Sequence, residues 1–124
     1  ESNSFQNLKK LDSLNLSFNY LKILNDQSLT GLENLKKLDL TQNRLELIDY
    51  DMRNLDSIEK LYISDNSLIR NMSYADNFVE LGLRNVSVDF LNLFNFEKIR
   101  DLEILDLSHN QLNSRLLKRL ESLT

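Results

Sequence analysis

Few residues of this chain could perform catalysis, and their arrangement does not favour it. His109 is the single histidine and cysteine is absent, so neither a histidine pair for a metal nor a thiolate nucleophile can be assembled. The carboxylates Asp39 and Asp106 occupy equivalent places in two similar segments, which is typical of solubilising positions rather than of an acid–base pair. The glycine-rich, HExxH and GxSxG signatures do not occur either. We therefore expect no enzyme activity, no cofactor and no metal.

The charge balance argues against a nucleic-acid partner. Lysine and arginine number 15 and aspartate and glutamate 19, which gives a net charge of −4. Binding to phosphates needs a basic stripe, and this composition does not provide one. The apolar runs are short, and the amphipathic stretch at 116–123 fits the repeat described below better than a membrane surface. We expect no nucleic-acid partner and no membrane contact by this segment.

The chain is repetitive, and asparagine marks the repeat. Sixteen of the 124 residues are asparagine, whereas glycine occurs twice and proline not at all. Residues 14–21, 38–45 and 105–112 each read LxLxxNxL, and residues 61–68 read the same with isoleucine at the third place. Residues 81–88 are a weaker copy, with valine at the asparagine position and at the last leucine position. The first leucines are spaced 24, 23, 20 and 24 residues apart, and apolar residues precede each at every third position. One such unit cannot bury its own leucines, so the pattern predicts stacked repeats around a continuous core.

The repeat resembles the leucine-rich repeat family, and in particular the class typical of Toll-like receptor ectodomains and insect leucine-rich immune proteins. The resemblance implies an α/β solenoid, a horseshoe with short parallel strands on its concave face and an irregular or short helical convex side. It implies one array of about five repeats over residues 1–124, cut at both ends from a larger protein because neither end has a cap. The predicted strands lie near residues 13–17, 37–41, 60–64, 80–84 and 104–108.

In this family the repeated asparagine holds the turn after each strand, because a side-chain amide both donates and accepts hydrogen bonds. The resemblance assigns this structural role to Asn19, Asn43, Asn66 and Asn110. Val86 stands at the same place in the fourth repeat and cannot make those bonds. We therefore expect an altered backbone or a bound water at the fourth turn.

The residues that alternate with the leucines must face outward, so they form columns across the sheet. Tyr62 is the one aromatic residue at a mid-strand outward position, and Arg84 lies one repeat away. Tyrosine and arginine are over-represented among interface hot spots, so we predict that this pair anchors a protein ligand. The full set of predicted ligand-binding residues is Tyr62, Arg84, Lys60, Asp65, Asp39 and His109.

The sequence therefore predicts a protein-recognition module that binds a protein ligand or co-receptor. Glycosylation sequons at Asn15, Asn71 and Asn85 permit an extracellular or cell-surface glycoprotein of innate immunity, although about two sequons would arise by chance. Two alternatives remain open at this point. One is a cytoplasmic scaffold or regulatory subunit, and the other is an array attached to a catalytic domain elsewhere in a longer protein.

Overall fold

The computed structural model describes residues 4–25, 27–49, 56–67, 69 and 77–123, and seven short strands lie in this part of the chain. They are β1 (Ser13–Asn15), β2 (Ile23–Asn25), β3 (Lys37–Asp39), β4 (Leu47–Asp49), β5 (Lys60–Tyr62), β6 (Glu80–Gly82) and β7 (Ile104–Asp106). The main sheet has five parallel strands in the order β1-β3-β5-β6-β7. This arrangement confirms the predicted parallel-strand solenoid.

Each main-sheet strand has three residues, where the sequence predicted five. The pairing between repeats nevertheless continues beyond the strand ends, since the Leu16 amide donates to the Asp39 carbonyl at 2.8 Å and the Phe18 amide to the Thr41 carbonyl at 2.9 Å. The residue at the place of Phe18 takes a left-handed conformation in every repeat, so the chain turns away from the sheet there. The predicted bounds therefore cover the paired stretch, and the regular strand is its first half.

The opposite side of the array has two kinds of structure. In the first two repeats β2 pairs with β4 in parallel, which differs from the irregular or short helical structure expected there. The adjacent isoleucine and leucine in Ile23–Asn25 and in Leu47–Asp49 favour an extended backbone, and stacking in register lets the two segments pair. The later repeats carry the expected helices, which are α1 (Val88–Leu93), α2 (Ser114–Leu120) and two 3-10 turns at Phe96–Lys98 and Glu121–Leu123.

The middle residue of each main-sheet strand points into the core. Leu38, Leu61 and Leu81 are at most 1% exposed, whereas Leu14 and Leu105 on the two outer strands are half-buried. The outer strands have a partner strand on one side only, so their leucine layers are packed from one side. Burial is thus complete in the middle of the array and partial at its two ends.

Asparagine side chains connect successive turns beneath the sheet edge. Asn66 is fully buried; its Nδ2 donates to the carbonyls of Leu40 at 2.9 Å and Ile63 at 3.0 Å, and its Oδ1 accepts from the Leu45 amide at 3.0 Å. One carbonyl belongs to its own repeat, while the other carbonyl and the amide belong to the preceding one. The same three kinds of bond are made by Asn43 and by Asn110. Asn19, in the first repeat, donates to carbonyls of its own repeat.

The fourth turn keeps the left-handed residue of the others although Val86 replaces asparagine. Asn85 has a φ of 48°, and its four counterparts have φ between 51° and 58°, so the backbone is not altered at this residue. The hydrogen bonding does change, because the Oδ1 of Asn110 accepts from the amide of Val86 itself at 2.9 Å. In the first two repeats the donor is the amide two residues after that repeat's own asparagine, namely Leu21 after Asn19 and Leu45 after Asn43. The valine is thus accommodated by a shifted donor.

A second set of cross-repeat hydrogen bonds lies before the strands. Polar side chains at one repeated position donate to a main-chain carbonyl one repeat earlier: Asn34 to Lys9 at 2.7 Å, Ser57 to Glu33 at 2.8 Å and Asn77 to Asp56 at 2.9 Å. These side chains satisfy carbonyls before each strand. The asparagine ladder, which comprises Asn19, Asn43, Asn66 and Asn110, does the same after it. The strands are therefore held in register from both sides.

Candidate functional site

The outward face of the main sheet is where the predicted ligand-binding residues lie. In β3 and β5 the buried leucine is flanked by outward residues, namely Lys37 and Asp39 in one strand and Lys60 and Tyr62 in the next. The register places Lys37 beside Lys60 and Asp39 beside Tyr62. The sheet therefore presents adjacent side chains of both charge signs around one aromatic ring.

Tyr62 lies at the centre of this face and is held by three neighbours. A Cβ atom built on Gly82 would come within 2.8 Å of Tyr62 Cδ1, so the ring lies directly against the glycine backbone. The Nζ atom of Lys37 lies 5.2 Å from the ring centroid, which is a cation–π distance. The hydroxyl of Tyr62 donates a hydrogen bond to the carboxylate of Glu80. The ring is thus half-buried and oriented before any ligand arrives.

The carboxylate of Glu80 joins Tyr62 to a lysine of the adjacent strand. Lys60 Nζ lies 3.1 Å from Glu80 Oε2, and β5 and β6 pair these two residues directly. The hydrogen bond from the Tyr62 hydroxyl, followed by that from Lys60, holds the pKa of Glu80 below its usual value. In turn, burial and then the bond to the Glu80 carboxylate raise the pKa of Tyr62 to about 12. We call Lys37, Lys60, Tyr62 and Glu80 the tyrosine cluster.

Arg84 belongs to a second group, nearer the turn. Its amide donates to the Oγ of Ser64 at 3.1 Å, two residues beyond the contact between Tyr62 and Gly82. Hydrogen bonds from the Ser108 hydroxyl and amide, with smaller contributions from the charges of Arg84 and His109, lower the pKa of Asp106. The structure therefore separates the predicted ligand-binding residues into two groups, with the charge of Arg84 acting on Asp106.

Of the other predicted residues, Asp39 makes a bond within its own turn and Asp65 makes one to the next repeat. Asp39 Oδ1 accepts from the Thr41 amide at 3.0 Å, and Asp106 Oδ1 accepts from the Ser108 amide at 2.9 Å in the same way. Asp65 Oδ1 accepts from the side chain of Asn85 at 2.9 Å. These carboxylates help to shape the end of each strand, in addition to any contact with a ligand.

The prediction omitted two members of the tyrosine cluster, Lys37 and Glu80. Their signal was present in the sequence, because both stand in the column of Lys60, one residue before the strand leucine. The register of the strands was sufficient to place them beside Tyr62. Their contact with its ring and hydroxyl depends on side-chain conformations that a column alone does not specify.

The sequons differ in their surroundings. Asn15 is exposed, and its Oδ1 accepts from the amide of Ser17 at 2.8 Å and from its hydroxyl at 2.6 Å. Asn85 uses its Nδ2 to bond Asp65. Asn71, the third predicted acceptor, lies outside the described residues.

Within the described residues, no helix is long and apolar enough to span a membrane. The same part of the chain contains no group of three or more histidine, cysteine, aspartate or glutamate side chains that could hold a metal ion. The arrangement that remains is an extended polar face with one oriented aromatic ring. Such a face can contact a macromolecule through many side chains at once.

Comparison with known proteins agrees with this architecture. A family model described as leucine rich repeat matches residues 1–45 and 26–68, and a second of the same description matches residues 101–123. No solved structure matches the chain with significance.

Three curated proteins illustrate what the chain is similar to. Human Toll-like receptor 3 is 31% identical over 97% of this chain, and Toll-like receptor 3 of Boselaphus tragocamelus is 30% identical over the same share. A probable inactive serine/threonine-protein kinase of Dictyostelium discoideum is 34% identical over 86% of the chain. The chain spans 16% of the length of each receptor and 6% of the length of the kinase-like protein.

Proposed function

We propose that this chain, which belongs to the leucine-rich repeat family, binds a protein ligand or co-receptor across the outward face of its main sheet. The family's repeats form protein–protein interaction modules, which supports this proposal. In this proposal the array is one part of a longer extracellular or cell-surface receptor, or of a secreted immune-type protein.

The observation that carries the proposal is the tyrosine cluster. Tyrosine is enriched at hot spots because it offers a large apolar ring and a polar end at little entropic cost. Here the ring is already oriented by Gly82, Lys37 and Glu80, so binding would lose little further side-chain freedom. The surrounding charges have both signs, which favours the mixed surface of a protein over a simple polyanion.

Arg84 supplies a second anchor on the same face. It is exposed, and its planar guanidinium suits carboxylates of a partner. Asp65 and His109 lie at the turn ends of the neighbouring repeats, where they would form the rim of the interface. The proposed contact surface thus runs from the tyrosine cluster towards the turns of the third to fifth repeats.

The receptor context is supported by the two relatives named Toll-like receptor 3, and the three sequons permit it. An alternative is a cytoplasmic scaffold or regulatory subunit. The kinase-like relative supports a further alternative, in which the array is attached to a domain of enzyme fold in a longer protein. Each context uses the same outward face, so the site can be tested before the context is known.

The experiment is a selection against two displayed protein libraries, one of extracellular domains and one of cytosolic domains. We expect specific binders from the extracellular library whose affinity falls at least about fivefold on Tyr62→Ala and on Arg84→Ala. The matched control is Glu97→Ala, an exposed residue in the 3-10 turn on the other side of the array, which should leave affinity unchanged. Binders that tolerate both face variants but lose affinity with Glu97→Ala would move the site to the other side. Binders from the cytosolic library alone would favour the scaffold.

A further inference from the structure

Two exposed aromatic rings lie outside the tyrosine cluster, at the turn edge that follows β1. Phe18 is 72% exposed and Tyr20 is 77% exposed, the highest exposure of any large hydrophobic side chain in the described part of the chain. The guanidinium carbon of Arg44, from the next repeat, lies 4.5 Å from the centroid of the Tyr20 ring. One cation therefore already covers one of the two rings.

These rings are exposed because of the places that they occupy in the repeat. The residues equivalent to Phe18 and Tyr20 face solvent in the middle of the array as well, as exposed Gln42 and Arg44 show in the second repeat. Leu112 provides the contrast: it is 39% exposed, whereas its counterpart in the second repeat, Leu45, is fully buried. Leu112 is therefore exposed because it lies at the end of the array. A further repeat stacked before the first would leave Phe18 and Tyr20 on the surface.

The backbone at Phe18 gives a second reason to look for a function. Its φ is 58°, in the left-handed region, where a bulky side chain is unfavourable. The equivalent places in the other repeats are occupied by polar residues, of which asparagine and aspartate tolerate this conformation best. These places are Gln42, Asp65, Asn85 and His109. Neither burial nor backbone preference favours phenylalanine here, so the fold does not account for it.

The chemistry of the patch is apolar with a cationic edge. When a guanidinium stacks on an aromatic ring, its N–H groups lie in the guanidinium plane and point away from the ring edge, so they can still bind a carboxylate. Arg44 is exposed, and exposed Lys22 follows Tyr20 by two residues. Exposed Glu46 lies beside Lys22, since its amide donates to the Lys22 carbonyl at 2.9 Å, so the net positive charge beside the rings is that of Arg44. A partner that complements this arrangement carries an acidic side chain beside apolar ones.

We propose that Phe18, Tyr20 and Arg44 form a docking surface for an acidic, partly apolar peptide segment of a partner protein. The carboxylate of the segment binds the guanidinium of Arg44, and its apolar neighbours cover the two rings. The inference rests on the proposed role in protein recognition but places a second contact two main-sheet strands away from Tyr62, on the turn edge. It thus extends the interaction surface beyond the sheet face.

The test uses a displayed library of random peptides selected on the chain. Two variants adopt residues that other repeats have at the same places, Phe18→Gln as in Gln42 and Tyr20→Ser as in Ser67, so both are compatible with the fold. We expect selected peptides to be enriched in aspartate or glutamate next to apolar residues. A synthetic peptide of the selected consensus should bind at least about tenfold more weakly to Tyr20→Ser and to Arg44→Gln. The matched control Gln111→Ser, in the column of Tyr20, should bind unchanged.

Several results would overturn this inference. Selected peptides without acidic enrichment, or with equal affinity for the Phe18→Gln/Tyr20→Ser double variant, would remove the docking surface. Peptides that lose affinity on Tyr62→Ala alone would remove it while leaving the proposed function in place. A dimer in sedimentation velocity that becomes a monomer in the double variant would show that the rings bind a second copy of this chain, in place of an acidic partner segment. The unfolding midpoints of the variants, measured by circular dichroism, should match that of the parent chain.

Discussion

The two sides of the same five strands follow different rules. On the inner side one residue type recurs at each place, such as leucine at Leu38, Leu61 and Leu81, and the side chains are almost fully buried. On the outer side neighbouring strands carry unrelated residues at equivalent places, such as Asp39, Tyr62 and Gly82 in one column. The recurring buried residues therefore determine stability, and the residues of the outer face are free to vary. Substitutions on the inner side should therefore reduce stability, and substitutions on the outer side should mainly change binding.

The largest effect is expected at Asn66, the most completely buried member of the asparagine ladder. Replacing Asn66 by alanine leaves the Leu45 amide and the Ile63 carbonyl without this partner, while the Leu40 carbonyl keeps its bond from Asn43. Each buried group that loses its bond costs about 1–3 kcal/mol, so we expect Asn66→Ala to lower the free energy of unfolding by about 3 kcal/mol. Urea denaturation followed by circular dichroism measures this loss. A loss below about 1 kcal/mol would mean that water replaces the ladder.

A smaller effect is expected at Asn43, which makes the same bonds in a less buried turn. We expect Asn43→Ala to lower the free energy of unfolding by about 2 kcal/mol. The controls are Asn25→Ala, whose exposed side chain bonds its own turn, and Asn92→Ala, whose Oδ1 lacks a partner; both should change the free energy of unfolding by less than about 0.5 kcal/mol. Equal denaturation midpoints for the three variants would show that the asparagine ladder does not contribute to stability.

Gly82 allows a test of where the two sides meet. An alanine Cβ at this place would lie 2.8 Å from the Tyr62 ring, so Gly82→Ala should displace the ring and lower the free energy of unfolding by about 1 kcal/mol. Removing the ring should relieve the clash, so Tyr62→Ala/Gly82→Ala should lose less stability than the sum of the two single variants. Additive losses in this double-mutant cycle would show that the ring does not rest on Gly82.

A fourth effect is a dependence of stability on pH that comes from the outer face. The pKa of Tyr62 is raised to about 12 in the folded chain, from an ordinary value of 10.0. A raised pKa stabilises the fold below pH 10, and this contribution is lost as the pH rises from about 10 to about 12. We expect Tyr62→Phe to lose less stability over this interval than the parent chain, as measured by urea denaturation at each pH. Parallel pH profiles for the two proteins would contradict the raised pKa.

The inner side could be predicted from the sequence because its residues recur with the period of the fold. The buried leucines and the asparagines recur in the sequence at nearly fixed spacing. Because a single repeat cannot bury its leucines, the repeats must stack, and stacking gives parallel strands. The outer columns followed as well, because residues alternate across a strand. These features depend on the order of residues alone.

Three features depended on more than the order of residues. The pairing of β2 with β4 needs two neighbouring extended segments on the same side, and it has no letter pattern that recurs through the chain. The shifted donor at Val86 depends on how Asn110 reaches back to the fourth turn. Similarly, the guanidinium of Arg119 on α2 bonds the carbonyls of Asn92 and Phe94 at the end of α1, a contact between side chain and backbone across one repeat. Such contacts are decided by side-chain conformation in the packed structure.

Stability and recognition are thus assigned to different sides of the array. They can be separated by measuring two quantities on the same pair of variants, Arg84→Ala on the outer face and Asn43→Ala in the buried turn. The first quantity is the free energy of unfolding, and the second is the affinity, under native conditions, for a protein binder selected from the extracellular library. We expect Arg84→Ala to weaken binding by more than about 1 kcal/mol and to change the free energy of unfolding by less than about 0.5 kcal/mol. We expect Asn43→Ala to lower the free energy of unfolding by more than about 1 kcal/mol and to change the binding free energy by less than about 0.5 kcal/mol. Losses of affinity and stability in the same proportion for both variants would contradict this assignment.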